Sequence, residues 1–328
     1  MLSRVADSIY WLNRYIERAE NVARFVEVNL NLLLDLPMGL QEQWQPLVTT
    51  TGDRAVFESR YSEFTADAVM QFLTFDAEYD NSILSCVRAA RTNARSVREA
   101  ISSAMWEQVN DFYLMVTEAA RSQESHWSLS AISDFLAQVK RASHSFNGVM
   151  DATMTHSEGW NFGCMGRYLE RADKTSRILD VKYYLLLPTP DHVGSPLDEL
   201  GWMALLKSAS AYEMYRKSLS SYQHRITPAG VAAFLILDIA FPRSIRFCLL
   251  EAERSLHAIT GSPLGFWQND SERTLGRLRS ELEYATIEEI LHQGMHEFLD
   301  RLQLQMNTVD RTIFETFFSL EPIMAQSQ

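Results

Sequence analysis

A chain of 328 residues is about twice an ordinary domain, long enough to bury one large core or two similar ones. Its formal charge of −12 and pI near 5.2 argue against a nucleic-acid binder, and its longest apolar runs, near 30–34, 183–187 and 232–237, are too short to cross a bilayer. No basic-then-apolar leader opens it, and Cys86, Cys164 and Cys248 are scattered rather than paired, so the expectation is a cytoplasmic protein whose reduced thiols fill the core.

The first predicted helix spans 4–34, with Ser3 as its N-cap and Pro37 and Gly39 closing it. Tyr15, Ala19, Val22 and Val26 recur at spacings of three and four and mark a core face. Arg14, Glu17, Glu20 or Asn21, Arg24 and Glu27 form a second stripe of alternating sign. A single stripe of this kind is ordinarily a solvated face laced with ion pairs. Short helices follow at 41–50, interrupted near Pro46, and at 55–61, and then one capped by Thr65 that carries Val69, Phe72 and Leu73. Further helices are predicted over 81–102, 104–121 and 128–154.

The next helix, up to about 187, repeats the first. RYIERAENVARFVEVN (14–29) returns as RYLERADKTSRILDVK (167–182), which aligns Arg14 with Arg167, Glu17 with Glu170, Arg18 with Arg171 and Arg24 with Arg177. Proline and glycine then crowd into the linker LPTPDHVGSPLDELG (187–201), and helices are predicted at 197–219, 229–239, 243–259, 271–285 and 287–317. Residues 65–90 also align with 227–252, which pairs Asp76 with Asp238, Ser82 with Ser244 and Cys86 with Cys248. The reading is an all-α helical bundle of two tandem, quasi-two-fold related halves, 1–155 and 156–328, packed as one body. Charges kept in both copies suggest that the two stripes meet at a shared, partly buried polar centre.

Several clusters are candidates for chemistry. Arg88, Arg91, Arg95 and Arg98 share one helix face and need anions, either carboxylates of the repeated helices or an anionic ligand. Asp238 ends one helix, and Pro242, Arg243 and Ser244 begin the next. Ordinary capping explains that junction, and anion binding at a helix start is the alternative. In EEILHQGMHE (288–297), Glu289, His292 and His296 have metal-ligand spacing on one helix, but a second such helix is lacking and a surface helix is favoured, so no metal is assigned. No nucleophile elbow, P-loop, dinucleotide fingerprint or zinc-protease motif occurs, and no cofactor is expected. Glu17 and Glu170 beside arginines suit structure or binding better than proton transfer.

LSRVADSIYWLNRYIERAENVAR, ARTNARSVREAIS followed by WEQVN, TMTHSEGWNFGCMGRYLERAD and the run from Asp238 to Ser244 resemble the bacterial alpha-E proteins, an all-helical family with a repeated Glu-Arg motif. Asn13 departs from the glycine that the family often has there and that Gly166 supplies in the second copy. The resemblance implies a protein found beside circularly permuted ATP-grasp ligases, transglutaminase-like peptidases and, in some operons, a proteasome-like peptidase. The expectation is an accessory, non-catalytic subunit of an amide or peptide ligase. Its polar cleft, lined by Arg14, Glu17, Arg18, Arg167, Glu170, Arg171, Arg91, Arg95, Asp238, Arg243 and Ser244, takes a small anionic substrate or peptide. A stand-alone acyl-transferring or hydrolysing enzyme and a plain scaffold are the alternatives.

Overall fold

The apolar stripes of the two repeated segments bury themselves in different directions, and this makes their helices the spines of the molecule. The computed structural model describes residues 1–35, 44–122, 129–184, 196–219 and 226–319; it is all-α, with no strand among the described residues. In chain order the helices are α1 (Ser3–Asp35), α2 (Gln45–Thr51), α3 (Arg54–Glu58), α4 (Ala66–Thr74), α5 (Ile83–Ser96), α6 (Ser103–Arg121), α7 (Leu129–Thr153) and α8 (Glu158–Tyr184). They continue with α9 (Pro196–Ser208), α10 (Tyr212–Ser218), α11 (Pro228–Leu237), α12 (Ile245–Thr260), α13 (Asp270–Tyr284), α14 (Ile287–Gln293) and α15 (Met295–Ile313), which ends in a π-helical turn, Phe314–Phe318.

α1 and α8 lie against each other; α5 and α7 flank α1, while α12 and α15 flank α8. α2 packs on α8 and α9 packs on α1, so each short helix crosses to the other spine. The interior divides accordingly. One apolar cluster is built on Ile9, Leu12, Ile16, Ala19, Ala23 and Val26 of α1, and another on Met165, Leu169, Ala172, Ile178 and Leu179 of α8. No helix among the described residues is long and apolar enough to cross a membrane.

Helix starts follow side-chain chemistry. Thr65, Ser82, Ser102, Thr227 and Ser244 each accept a hydrogen bond from the backbone N–H three residues on, a cap whose loss costs about 1 kcal/mol. Several predicted spans divide. The helix expected over 81–102 stops at Ser96, and that over 197–219 breaks between α9 and α10, where Ser210 takes a left-handed φ of 48°. The helix expected over 287–317 is cut at Gly294, whose φ of 97° leaves the helical region. The last part of the expected linker is helical, because Pro196 opens α9 where a missing N–H costs nothing. The rest of that linker, and the closure of α1 at Pro37 and Gly39, lie outside the described residues.

The close approach of the spines depends on Gly166. A Cβ there would stand 2.5 Å from the Tyr10 carbonyl oxygen, a backbone atom that cannot swing aside, and 3.2 Å from Arg14 Cγ. Gly166→Ala is therefore expected to push α8 off α1 and destabilise the fold by about 1–3 kcal/mol in urea unfolding; an unchanged midpoint would show that the two helices part freely.

Candidate functional site

The charged stripes face one another where α1 crosses α8. Glu17 is 1% exposed and Glu170 0%, and each carboxylate takes its main cation from the opposite helix. Arg171 forks onto Glu17, Nε to Oε1 at 2.8 Å and Nη2 to Oε2 at 2.7 Å. Arg18 forks onto Glu170, Nε to Oε1 at 2.6 Å and Nη2 to Oε2 at 2.9 Å, and Arg14 Nε adds a bond to Oε2 at 2.9 Å. Two planar guanidinium–carboxylate pairs thus cross the contact in opposite senses.

The exchange continues one turn on. Arg24 holds Glu20 at 2.9 and 2.6 Å and donates from Nη1 to the Ser208 carbonyl at the end of α9, 3.1 Å away. Arg177 holds Asp173 at 3.2 and 3.0 Å and donates from Nη1 to the Thr50 carbonyl in α2, also at 3.1 Å. Each spine thereby ties down the final carbonyls of a short helix belonging to the other half of the sequence.

The two ends of this ribbon differ in filling. Glu20 is surrounded by Arg24, Arg243, the Ser143 hydroxyl at 2.8 Å and His144 Nε2 at 3.0 Å, and Arg243 also reaches Glu17 at 3.3 Å. At the other end Asn81 stands where Arg243 stands, one residue before a capping serine, and Lys174 takes the place of Asn21. That end keeps a cavity of about 190 Å³ walled by Arg14, Arg18, Lys174 and Arg177, with Asp53, Asp173 and Asp310 between them.

Burial by itself raises the Glu170 carboxyl, but the charges of Arg18, Lys174 and Arg14 outweigh it and hold the group well below the usual carboxylate range. Glu20 is likewise held well below it and Glu17 and Asp173 below it, burial being offset chiefly by Arg243 at Glu20, Arg171 at Glu17 and Lys174 at Asp173. Burial, helped by Arg24 and Arg171, lowers Arg243 against the pull of Glu20 and Glu17, and its guanidinium keeps its charge at neutral pH. Both oxygens of Glu17 and of Glu170 are occupied by donors. Carboxylates so fixed orient cations and do not exchange protons at neutral pH.

Of the residues picked from the sequence, Arg14, Glu17, Arg18, Glu170, Arg171 and Arg243 are gathered here. Arg167 is diverted: it donates to Asn147 at 3.3 Å and lies over the Tyr168 ring at 4.9 Å, touching neither glutamate. Arg91 and Arg95 do not line the cleft. Arg91 donates to Asn110 at 2.9 Å and stacks over Tyr113 and Trp106 of α6, and Arg95 is exposed on α5. Asp238 and Ser244 build the turn into α12, Asp238 accepting from the Ala240 and Phe241 N–H groups at 2.8 and 2.7 Å and Ser244 capping the helix. The anion-binding alternative for that helix start is not supported, since Ser244 and the buried Arg243 occupy it. Glu289 closes a capping box with Thr286, His296 pairs with Asp180 at 2.7 Å, and Gly294 separates the two histidines onto different helices. The spacing that suggested metal ligands on one helix therefore does not survive folding. The three cysteines are buried thiols, with Cys86 and Cys248 pushed up to about 12 and Cys164 to about 11 by burial.

Sequence reasoning missed Asp53, Asn81, Lys174 and Asp310. Asp310 comes from α15 to meet Arg14 at 2.6 Å and Tyr10 at 2.8 Å, a contact across most of the chain.

The centre of this network holds two Glu-Arg dipeptides, Glu17-Arg18 and Glu170-Arg171. The model of the alpha-E family, described as a predicted alpha-helical domain with a conserved ER motif, matches residues 1–318. The chain is also 22% identical over 303 residues to an uncharacterized protein of Mycobacterium bovis and to one of Mycobacterium tuberculosis, over 88% of this chain and 33% of each relative. It thus spans about a third of the length of the curated relatives it matches. No solved structure matches it.

Proposed function

The chain belongs to the alpha-E family, and from that membership and its polar cavity we propose that it is the substrate-binding accessory subunit of an ATP-grasp amide or peptide ligase system. The observation that carries this reading is the cavity between α1, α8 and α15, where four cationic side chains, with Asp53, Asp173 and Asp310 among them, line a space large enough for a small ligand. Arginine forks and a lysine are the donors that a carboxylate of a small anionic substrate or peptide requires. The partner in this reading is a circularly permuted ATP-grasp ligase, with a transglutaminase-like protein as a second associate, and the setting is the cytoplasm. That the aligned segment is about a third of each mycobacterial relative supports a domain that works beside other polypeptide. The rival reading, acyl transfer by Glu17 and Glu170, is disfavoured because both carboxylates are locked by arginines.

Affinity capture of the chain from its native host, followed by mass spectrometry, tests the proposal. Recovery of an ATP-grasp protein in near-stoichiometric amount is the expected result. Captures that never contain one would overturn it, and amide turnover by the purified chain without ATP would favour the enzyme reading instead.

A further inference from the structure

The duplicated network contains its own control. At the filled end the Arg243 guanidinium lies on Glu17 and Glu20 and 3.3 Å from the Asn21 amide oxygen, so the protein supplies the occupant. At the open end the equivalent Asn81 is too short to do so. Its oxygen accepts from Arg18 at 2.7 Å and its amide donates to Asp53 at 3.2 Å. Lys174, 2.9 Å from Asp173 and 3.5 Å from Glu170, supplies the local charge, and Asn81, Asp173 and Lys174 all line the cavity.

The wall of this space combines both signs. Four cations line it against three carboxylates, and the buried Glu170 directly behind them brings the formal charges to zero. A phosphate or other dianion would gain little from such a balanced wall, because the carboxylates would face it too. Unused hydrogen-bonding capacity is likewise of both kinds. The Nη2 edges of Arg14 and Arg177 donate to no described residue, and Asp53 Oδ1 accepts from none, since Tyr79 and Asn81 both bond its Oδ2. The volume of about 190 Å³ is below the roughly 300–1,000 Å³ of pockets for drug-sized ligands.

We propose that this cavity binds a small zwitterion of the α-amino-acid class, its carboxylate on Arg14, Lys174 and Arg177 and its ammonium on Asp53. The inference rests on the reading of this cavity as the ligand site and narrows that ligand to one bearing both charges.

The test is calorimetric titration and thermal unfolding of the purified full chain with each standard L-α-amino acid in turn, and with sodium propionate, propylamine and inorganic phosphate as single-sign controls. At least one amino acid is expected to bind saturably and raise the unfolding midpoint while the three controls do not. Asn81→Arg, which places the residue type of Arg243 in the open end, is expected to weaken that binding by about tenfold or more. Should that variant fail to fold, Lys174→Met is read in its place, with the same weakening expected. Equal binding by propionate or phosphate, no binding by any amino acid, or undiminished binding to the folded variant overturns the proposal. Binding of propionate or phosphate would remove the zwitterion and leave an anion-binding accessory subunit standing, whereas failure to capture a ligase would leave the titration result intact.

Discussion

Glu170→Ala is expected to lower the unfolding free energy by about 3–5 kcal/mol, the cost of leaving buried cations without their counter-charge. Three cations converge on this one carboxylate, and they are not equally provided for without it. Arg14 keeps Asp310 at 2.6 Å and Lys174 keeps Asp173 at 2.9 Å, whereas Arg18 is left with the Asn81 amide oxygen, a neutral acceptor. Most of the loss therefore falls on Arg18, and the double change Glu170→Ala with Arg18→Ala should recover part of it, since two absent charges cost less than one unpaired charge. Glu58→Ala is the internal reference. Its ion pair with Arg54 has the same 2.6 Å separation, but both side chains are about half exposed, at 51% and 47%, and its removal should cost about 1 kcal/mol or less. Urea midpoints and slopes for the three variants decide the matter, and a Glu170→Ala loss no greater than that of Glu58→Ala would mean that burial adds nothing to the network.

The parts of this arrangement that the sequence disclosed are those written twice. The spacing of Ala19, Val22 and Val26 gave the core face of α1, and all three are buried. The opposite stripe would pass for a wet surface in a single copy. Its return at Arg167, Glu170, Arg171 and Arg177 suggested a buried purpose, and Glu17, Glu20, Arg24 and Glu170 are each 2% exposed or less. What stayed hidden depends on neighbours that periodicity does not name. The face bearing Arg91 is polar by any count, yet its partners are the rings of Trp106 and Tyr113, since a flat guanidinium can stack on an aromatic face as well as fork onto an acid. Asp310 lies on α15, beyond the stretch over which the two copies still resemble each other, so nothing local connects it with Arg14. The contrast between Asn81 and Arg243 lies within the aligned stretches 65–90 and 227–252, but its meaning is a volume, and a volume appears only when the helices have closed around it. Gly294 was the one legible warning against a helix carrying both His292 and His296.

Acid should unfold this protein more steeply than its surface charges alone would require. Glu17, Glu20, Glu170 and Asp173 all ionise below their ordinary range in the folded chain, because arginine and lysine charges outweigh burial at each. In the unfolded chain the same groups return to about 4.3 for glutamate and 3.9 for aspartate. The unfolded state then binds more protons than the folded one, so the stability these groups contribute is fully present above the unfolded values and is lost as the pH falls from about 5 toward the folded values. At about 1.4 kcal/mol per group and pH unit, four such groups set a limiting slope of about 5 kcal/mol per unit. Asp180, raised by burial against the pull of His296, and Asp7, raised by burial, act in the opposite sense and offset at most two of these groups. The expected result is a urea midpoint nearly flat from about pH 7 to 6 that collapses below about pH 5. Added salt should shift that collapse little, because buried pairs are poorly screened. Glu170→Gln, already weaker at neutral pH, should show a shallower fall because one of the linked protons is gone. A wild-type midpoint that stays level down to pH 3 would mean that these carboxylates ionise alike in the folded and unfolded chains, and would remove the electrostatic account of how the two spine helices are held together.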